Sequence, residues 1–239
     1  MTIEILFPEI CNLYGDSNNA LYLKKVFGED NIIETHLTDK PYFADHDVNL
    51  IYMGALAEFR EKPVLKILLP LRERILQLID AGVVFLITGN AMDIFGKTLH
   101  SNGEDIECLN IQPYEVFHDF NNRTNSTLLG EYNGQAIVGY KSNFSTTRNV
   151  NSTSFVKIIR GHGNDGQDLW EGFKINNFYC TYLIGPILVM NPLFAEEVLK
   201  AAGYEGELPL KEDLMASYQY RLKQFRTPGA HTDLNFHGV

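Results

Sequence analysis

Gly82–Lys97 reads GVVFLITGNAMDIFGK, and every position from Val83 to Ile87 is apolar. A strand without polar alternation belongs in the middle of a sheet covered on both faces, which is the parallel α/β arrangement. Working outward, the flanks alternate strand and helix. Thr2–Phe7 (TIEILF), Ile32–His36 and Val48–Met53 are β-rich runs. Between the first two, Asp16 or Ser17 is placed to cap a helix through Ala20, Leu23 and Phe27, ended by Gly28. Pro63 opens a further helical region in which Leu71, Ile75, Leu78 and Ile79 share one face. Pro70 predicts two helices or a kink there, and Gly82 closes the region. Such alternation around a fully apolar strand predicts an α/β fold with a doubly wound, mostly parallel sheet.

From Ile106 to Tyr182 the pattern changes to short strands separated by Asn, Gly, Ser and Thr, with candidates at Gln135–Gly139, Phe155–Arg160 and Phe178–Leu183. These read as antiparallel edge hairpins added to the same sheet. Pro192–Ala202 and Glu212–Phe225 read as helices, the second with its stripe at Leu214, Met215, Tyr218 and Leu222. One domain over residues 1–226 is expected, with 227–239 a loose tail.

The 239 residues are 45% hydrophobic and 21% charged, which excludes disorder. With 20 basic and 30 acidic residues the net charge is −10, so no nucleic-acid partner is expected. Cys11, Cys108 and Cys180 form no CxxC pair, the pattern of a reducing compartment. The first residues lack a basic n-region and no run approaches a membrane span, so a cytoplasmic protein without membrane contact is expected. The sequons at Asn122, Asn125, Asn143 and Asn151 then read as turn chemistry, as does GHGNDG, in which Asn164, Asp165 and Asp168 fall short of a calcium loop. None of the seven histidines is paired at ligand spacing; neither metal nor cofactor is expected.

In an open α/β sheet, ligands bind beyond the carboxyl ends of the strands. That singles out Pro8–Asn19, Gly54–Arg60 and Thr88–Gly96. The last has the layout of a nucleophile elbow, a tight turn displaying one side chain at a helix start, yet it holds Thr88, Gly89 and Asn90 and neither Cys nor Ser.

Four segments carry a family resemblance. NLYGDSNNALYLKK (Asn12–Lys25) is similar to the N(L/I)YGDxGN segment of CobQ-like class I glutamine amidotransferases, with the GatD-type subgroup nearest. IYMGALAEFRE (Ile51–Glu61) resembles their FIGGGxDRE, and GVVFLITGNAMDIFGK resembles GxPxLxICGGYQxLGK without a gap. EGFKINNFYCTYLIGPILVMNP (Glu171–Pro192) resembles EGxxYxNxxGTYLHGPxLxxNP, and the likeness runs from about Thr2 to Ala202. It implies a flavodoxin-like fold and a role in amidating peptidoglycan precursors. The implied partner is a Mur-ligase-like, ATP-using subunit, with a homo-oligomer as the alternative.

The departures fall on the reacting groups. In such enzymes a Cys attacks the carboxamide of glutamine and a His moves the proton. The alignment puts Gly89 at that Cys, Ile184 at the His and Asp93 at a substrate-holding Gln; Gly54, Ala55 and Leu56 replace the oxyanion-loop glycines, and KSNFS (Lys141–Ser145) replaces ENHGG. A non-catalytic binding or scaffolding subunit is therefore expected. Two alternatives remain. One is a nucleophile relocated to Cys11, since Thr88 should point away from the elbow and Cys180 reads as packing. The other is different acid–base chemistry by Asp93, Glu58, Arg60, Asp16 and Asn90 in the same crevice.

Overall fold

The computed structural model describes residues 1–148, 154–166 and 169–227. In chain order the first strands are β1 (Ile3–Leu6), β2 (Ile32–Thr35), β3 (Leu50–Met53) and β4 (Val84–Thr88). Three short ones follow: β5 (Thr98–Ser101), β6 (Glu104–Glu107) and β7 (Glu115–His118). The remainder are β8 (Thr124–Tyr132), β9 (Gln135–Asn143), β10 (Ser145–Arg148), β11 (Ser154–Arg160), β12 (Trp170–Ile175) and β13 (Phe178–Thr181). The helices are α1 (Ser17–Phe27), α2 (Glu61–Leu68), α3 (Arg72–Asp80), α4 (Ile187–Met190), α5 (Pro192–Ala201) and α6 (Lys211–Arg226). A 3₁₀ turn at Leu69–Leu71 separates α2 from α3, as Pro70 requires.

Nine strands form the main sheet in the order β2-β1-β3-β4-β13-β12-β11-β8-β9. The first five are parallel and the last four alternate antiparallel, so the expected hairpins extend the sheet. Alternation along the central strands divides two cores. Ile51, Met53, Phe85 and Ile87 pack on the face covered by α2 and α3, while Leu50, Tyr52, Val84 and Leu86 face α1, α4 and α5. Both faces are dry, which is why β4 carries no polar alternation.

Three expectations need correction. A separate four-stranded sheet, β10-β7-β5-β6, is built from part of the hairpin region, so not every short strand joins the main sheet. Its strands have four residues each and β6 reads EDIE, too short and polar to show a buried face. Asp16 stands at the start of α1 but makes no side-chain cap, because its carboxylate is drawn into the crevice. The expected strand at Gln135–Gly139 runs on to Asn143. Asn151, Asp168 and the tail from 228 lie outside the described residues, whereas Asn164 accepts the Gly172 N–H at 2.8 Å as a turn residue does.

The free edge of β9 is occupied by other parts of the chain. Ala136 O accepts the Tyr218 hydroxyl at 2.6 Å, and Tyr140 O accepts the Ile184 N–H at 2.9 Å. Between them the Asn191 carboxamide takes the Val138 N–H and donates to the Val138 carbonyl, both at 2.8 Å. Positions 136, 138 and 140 are the outward-facing ones of a strand with period two, so three successive sites for pairing are filled.

Candidate functional site

The chain reverses direction across the sheet between β1 and β3, and the loops after those strands and after β4 meet at that switch point. Two polar networks lie there, back to back around Asn90.

The first centres on Asp16, which is fully buried. Its carboxylate accepts the Thr88 hydroxyl at 2.6 Å, the Ala55 N–H at 3.1 Å and the Gly185 N–H at 3.2 Å. The Tyr52 hydroxyl donates to the Asp16 carbonyl at 2.8 Å. One side chain thus pins the loops after β1, β3, β4 and β13. Burial pushes its carboxyl up to about 6, with the three donors pulling the other way. A raised carboxyl favours the folded state while protonated, because the folded chain binds the proton that the unfolded chain has lost. Its contribution is full below the ordinary value of 3.8 and is lost as the pH rises through about 6. In urea denaturation, wild type is expected to lose about 2–3 kcal/mol relative to Asp16→Asn between pH 4 and pH 7. An unchanged difference between the two proteins would count against this assignment.

Gly89 opens a seven-residue 3₁₀ helix, Gly89–Phe95, that is buried throughout. Its φ of +63° is the left-handed conformation an elbow demands. A Cβ there would overlap the Ala55 Cβ and lie 2.9 Å from Ile184 Cγ2 and 3.1 Å from Ala55 Cα. The elbow has the right bend and no room above it. Amides of the neighbouring turn are committed as well: Ala55 N–H to Asp16, and Leu56 N–H to Asn90 Oδ1 at 3.1 Å. An oxyanion needs such donors free.

The second network was not legible as a group. Asp93, fully buried, accepts the Tyr182 hydroxyl at 2.7 Å and the Ser145 hydroxyl at 2.5 Å, and His118 Nε2 lies 3.1 Å from it. Glu61 Oε1 lies 3.7 Å from the same nitrogen and accepts Asn90 Nδ2 at 3.2 Å. Burial, then the Asp93 charge, push the Glu61 carboxyl well above the usual range. His118 Nδ1 faces Ser101 Oγ at 3.0 Å. A cavity of about 480 Å³ adjoins, lined by Glu58, Phe59, Glu61, Lys62, Ser101 and Phe120 among others.

The five polar residues singled out for acid–base work do not meet in one void. Asp16 and Asp93 belong to separate networks, Glu58 lines the cavity, and Arg60 lies over the Phe59 ring, its guanidinium carbon 5.0 Å from the centroid. Cys11, Cys108 and Cys180 are free and buried, and burial raises all three thiols, Cys108 to about 12.

No family model matches the chain. Two curated proteins do: the lipid II isoglutaminyl synthase (glutamine-hydrolyzing) subunit GatD of Staphylococcus aureus, 27% identical over 88% of both chains, and that of Streptococcus pneumoniae, 24% identical over 90% of this chain and 87% of its own. Among solved structures, a glutamine amidotransferase superposes with a TM-score of 0.57 at 12% identity, covering 85% of this chain and all of its own. A chain of PurLQS from Thermotoga maritima gives 0.53, also at 12% identity, over 92% of this chain and 99% of its own. Among the described residues no helix is long and apolar enough to cross a membrane. Sequence likeness along nearly nine-tenths of the chain and a shared class I fold make this protein a GatD-like glutamine amidotransferase homologue.

Proposed function

We propose that this chain is a GatD-like subunit whose elbow is closed to glutaminase chemistry and which serves by binding a partner. The observation that carries the reading is the space above Gly89, filled by Ala55 and Ile184 where a nucleophile's side chain would stand. Gly89 and Ile184, the positions aligned with the family's Cys and His, offer neither a thioester-forming atom nor a proton acceptor. The amides of Ala55 and Leu56 are already bonded. A relocated nucleophile gains nothing from Cys11, whose thiol burial holds protonated.

The relatives are named as subunits of lipid II isoglutaminyl synthase. The partner proposed here is accordingly a Mur-ligase-like protein, docked on a single domain spanning residues 1–226. Purified protein given glutamine is expected to release glutamate no faster than a protein-free blank, alone or with whatever chain copurifies from the native host. Turnover that survives removal of contaminating enzymes would end the closed-elbow reading. Copurification without any ligase-like chain would end the partner assignment alone.

A further inference from the structure

We propose that Glu61, Asp93 and His118 form a binding site for a divalent cation of the zinc class, with one coordination position open to the adjoining cavity. One donor atom from each residue lies within 4.8 Å of the other two, on segments that only the fold brings together. Glu61 opens α2, Asp93 lies in the buried 3₁₀ helix after β4, and His118 ends β7 of the second sheet. Their side chains are at most 2% exposed.

Charge is the first argument. Two carboxylates face each other in a dry interior, and among the described residues their ion pairs run only to His118. That imidazole presents a single nitrogen to the gap, because Nδ1 is turned to Ser101. When Nδ1 donates to Ser101 Oγ, Nε2 points a lone pair toward the Asp93 and Glu61 carboxyl oxygens, an arrangement that a cation between them satisfies.

Geometry is the second. Zinc binds nitrogen and carboxylate oxygen at about 2.0–2.2 Å, which places its ligand atoms roughly 3–4 Å apart. The Nε2 distances of 3.1 and 3.7 Å are already in that range. One imidazole with two carboxylates suits zinc or manganese better than calcium or magnesium, which prefer oxygen alone. Three protein ligands and a free fourth position describe an open rather than a structural site.

Supporting contacts are the third. A ligating histidine normally has its other nitrogen hydrogen-bonded, and ligating carboxylates are held in turn. Ser101 does this for His118, Tyr182 and Ser145 for Asp93, and Asn90 for Glu61. Glu61 and Ser101 both line the cavity, whose wall also carries Glu58 and a Lys62–Glu104 ion pair, so the cavity reaches one ligand and the residue that supports another.

The test uses untagged, chelator-stripped full-length protein and Zn²⁺ alone, by equilibrium dialysis with metal analysis. One equivalent of Zn²⁺ per chain is expected, and Zn²⁺ added to Co²⁺-loaded wild-type protein is expected to displace the Co²⁺ with loss of its visible absorption band. Ser101→Ala, which leaves every ligand in place, is expected to weaken binding roughly 10–100-fold, and His118→Gln to abolish the stoichiometric site. Less than stoichiometric Zn²⁺ with no Co²⁺ band in wild type would overturn the proposal. So would equal affinity in wild type, Ser101→Ala and His118→Gln, which would place the ion at the exposed His36–Glu9 or His100–Asp105 pair. The Co²⁺ measurement needs no variant to fold, and neither readout depends on glutamine hydrolysis.

Discussion

Gly89→Cys is expected to destabilise the chain by about 2–4 kcal/mol and to yield no glutaminase. Placing a thiol at such a turn would ordinarily be the shortest route to a nucleophile, since the turn already has the required φ of +63°. Here the new Cβ meets Ala55 and Ile184 before its sulfur is placed. Overpacking a dry core costs about 1–3 kcal/mol, and a side chain at positive φ costs about 1 more. Ala55→Gly removes the nearest obstacle, so the double variant is expected to recover about 1–2 kcal/mol, a coupling a double-mutant cycle in urea reads directly. A Gly89→Cys protein as stable as wild type that also releases glutamate would show the elbow to be open.

The second large effect is expected at Asn191→Ala, a loss of about 3 kcal/mol. Asn191 is 1% exposed, and its carboxamide supplies both partners of Val138 as well as a bond to the Ile187 carbonyl at 3.0 Å. Truncation leaves a buried N–H and a buried carbonyl without partners, each costing about 1–3 kcal/mol. The urea midpoint should fall with the slope unchanged. A shift below about 1 kcal/mol would mean that water replaces the amide, and that this asparagine of the NP pair is not what holds β9 to the helices.

Most of the main sheet is readable in the sequence as short β-rich runs, whereas β8 (TNSTLLGEY) and β12 (WEGFKI) carry no continuous apolar run and escape that reading. The five apolar positions Val83–Ile87 announce β4, and Pro70 announces the break between α2 and α3. The tight turn after β4 is equally legible, since Gly89 follows the apolar run directly and takes a φ of +63°. What the sequence hides is convergence. Asp93 and His118 are 25 residues apart and Asn90 and Glu61 are 29 apart, and His118 is brought in by the second sheet, whose four-residue strands carry no clear period. His118 follows Glu-Val-Phe with no neighbouring ligand to mark it. The role of Asp16 was hidden differently: at a helix start an Asp reads as a cap, and only the crowding of four loops shows that its carboxylate turns inward.

The filled margin of β9 also limits how this molecule can associate. A strand from another chain cannot be annealed along Ala136, Val138 and Tyr140 without first evicting Tyr218, Asn191 and Ile184. Fibre growth and donor-strand exchange are therefore blocked at that border, and a companion protein must be recognised by its fit to side chains rather than by continuing the ribbon there.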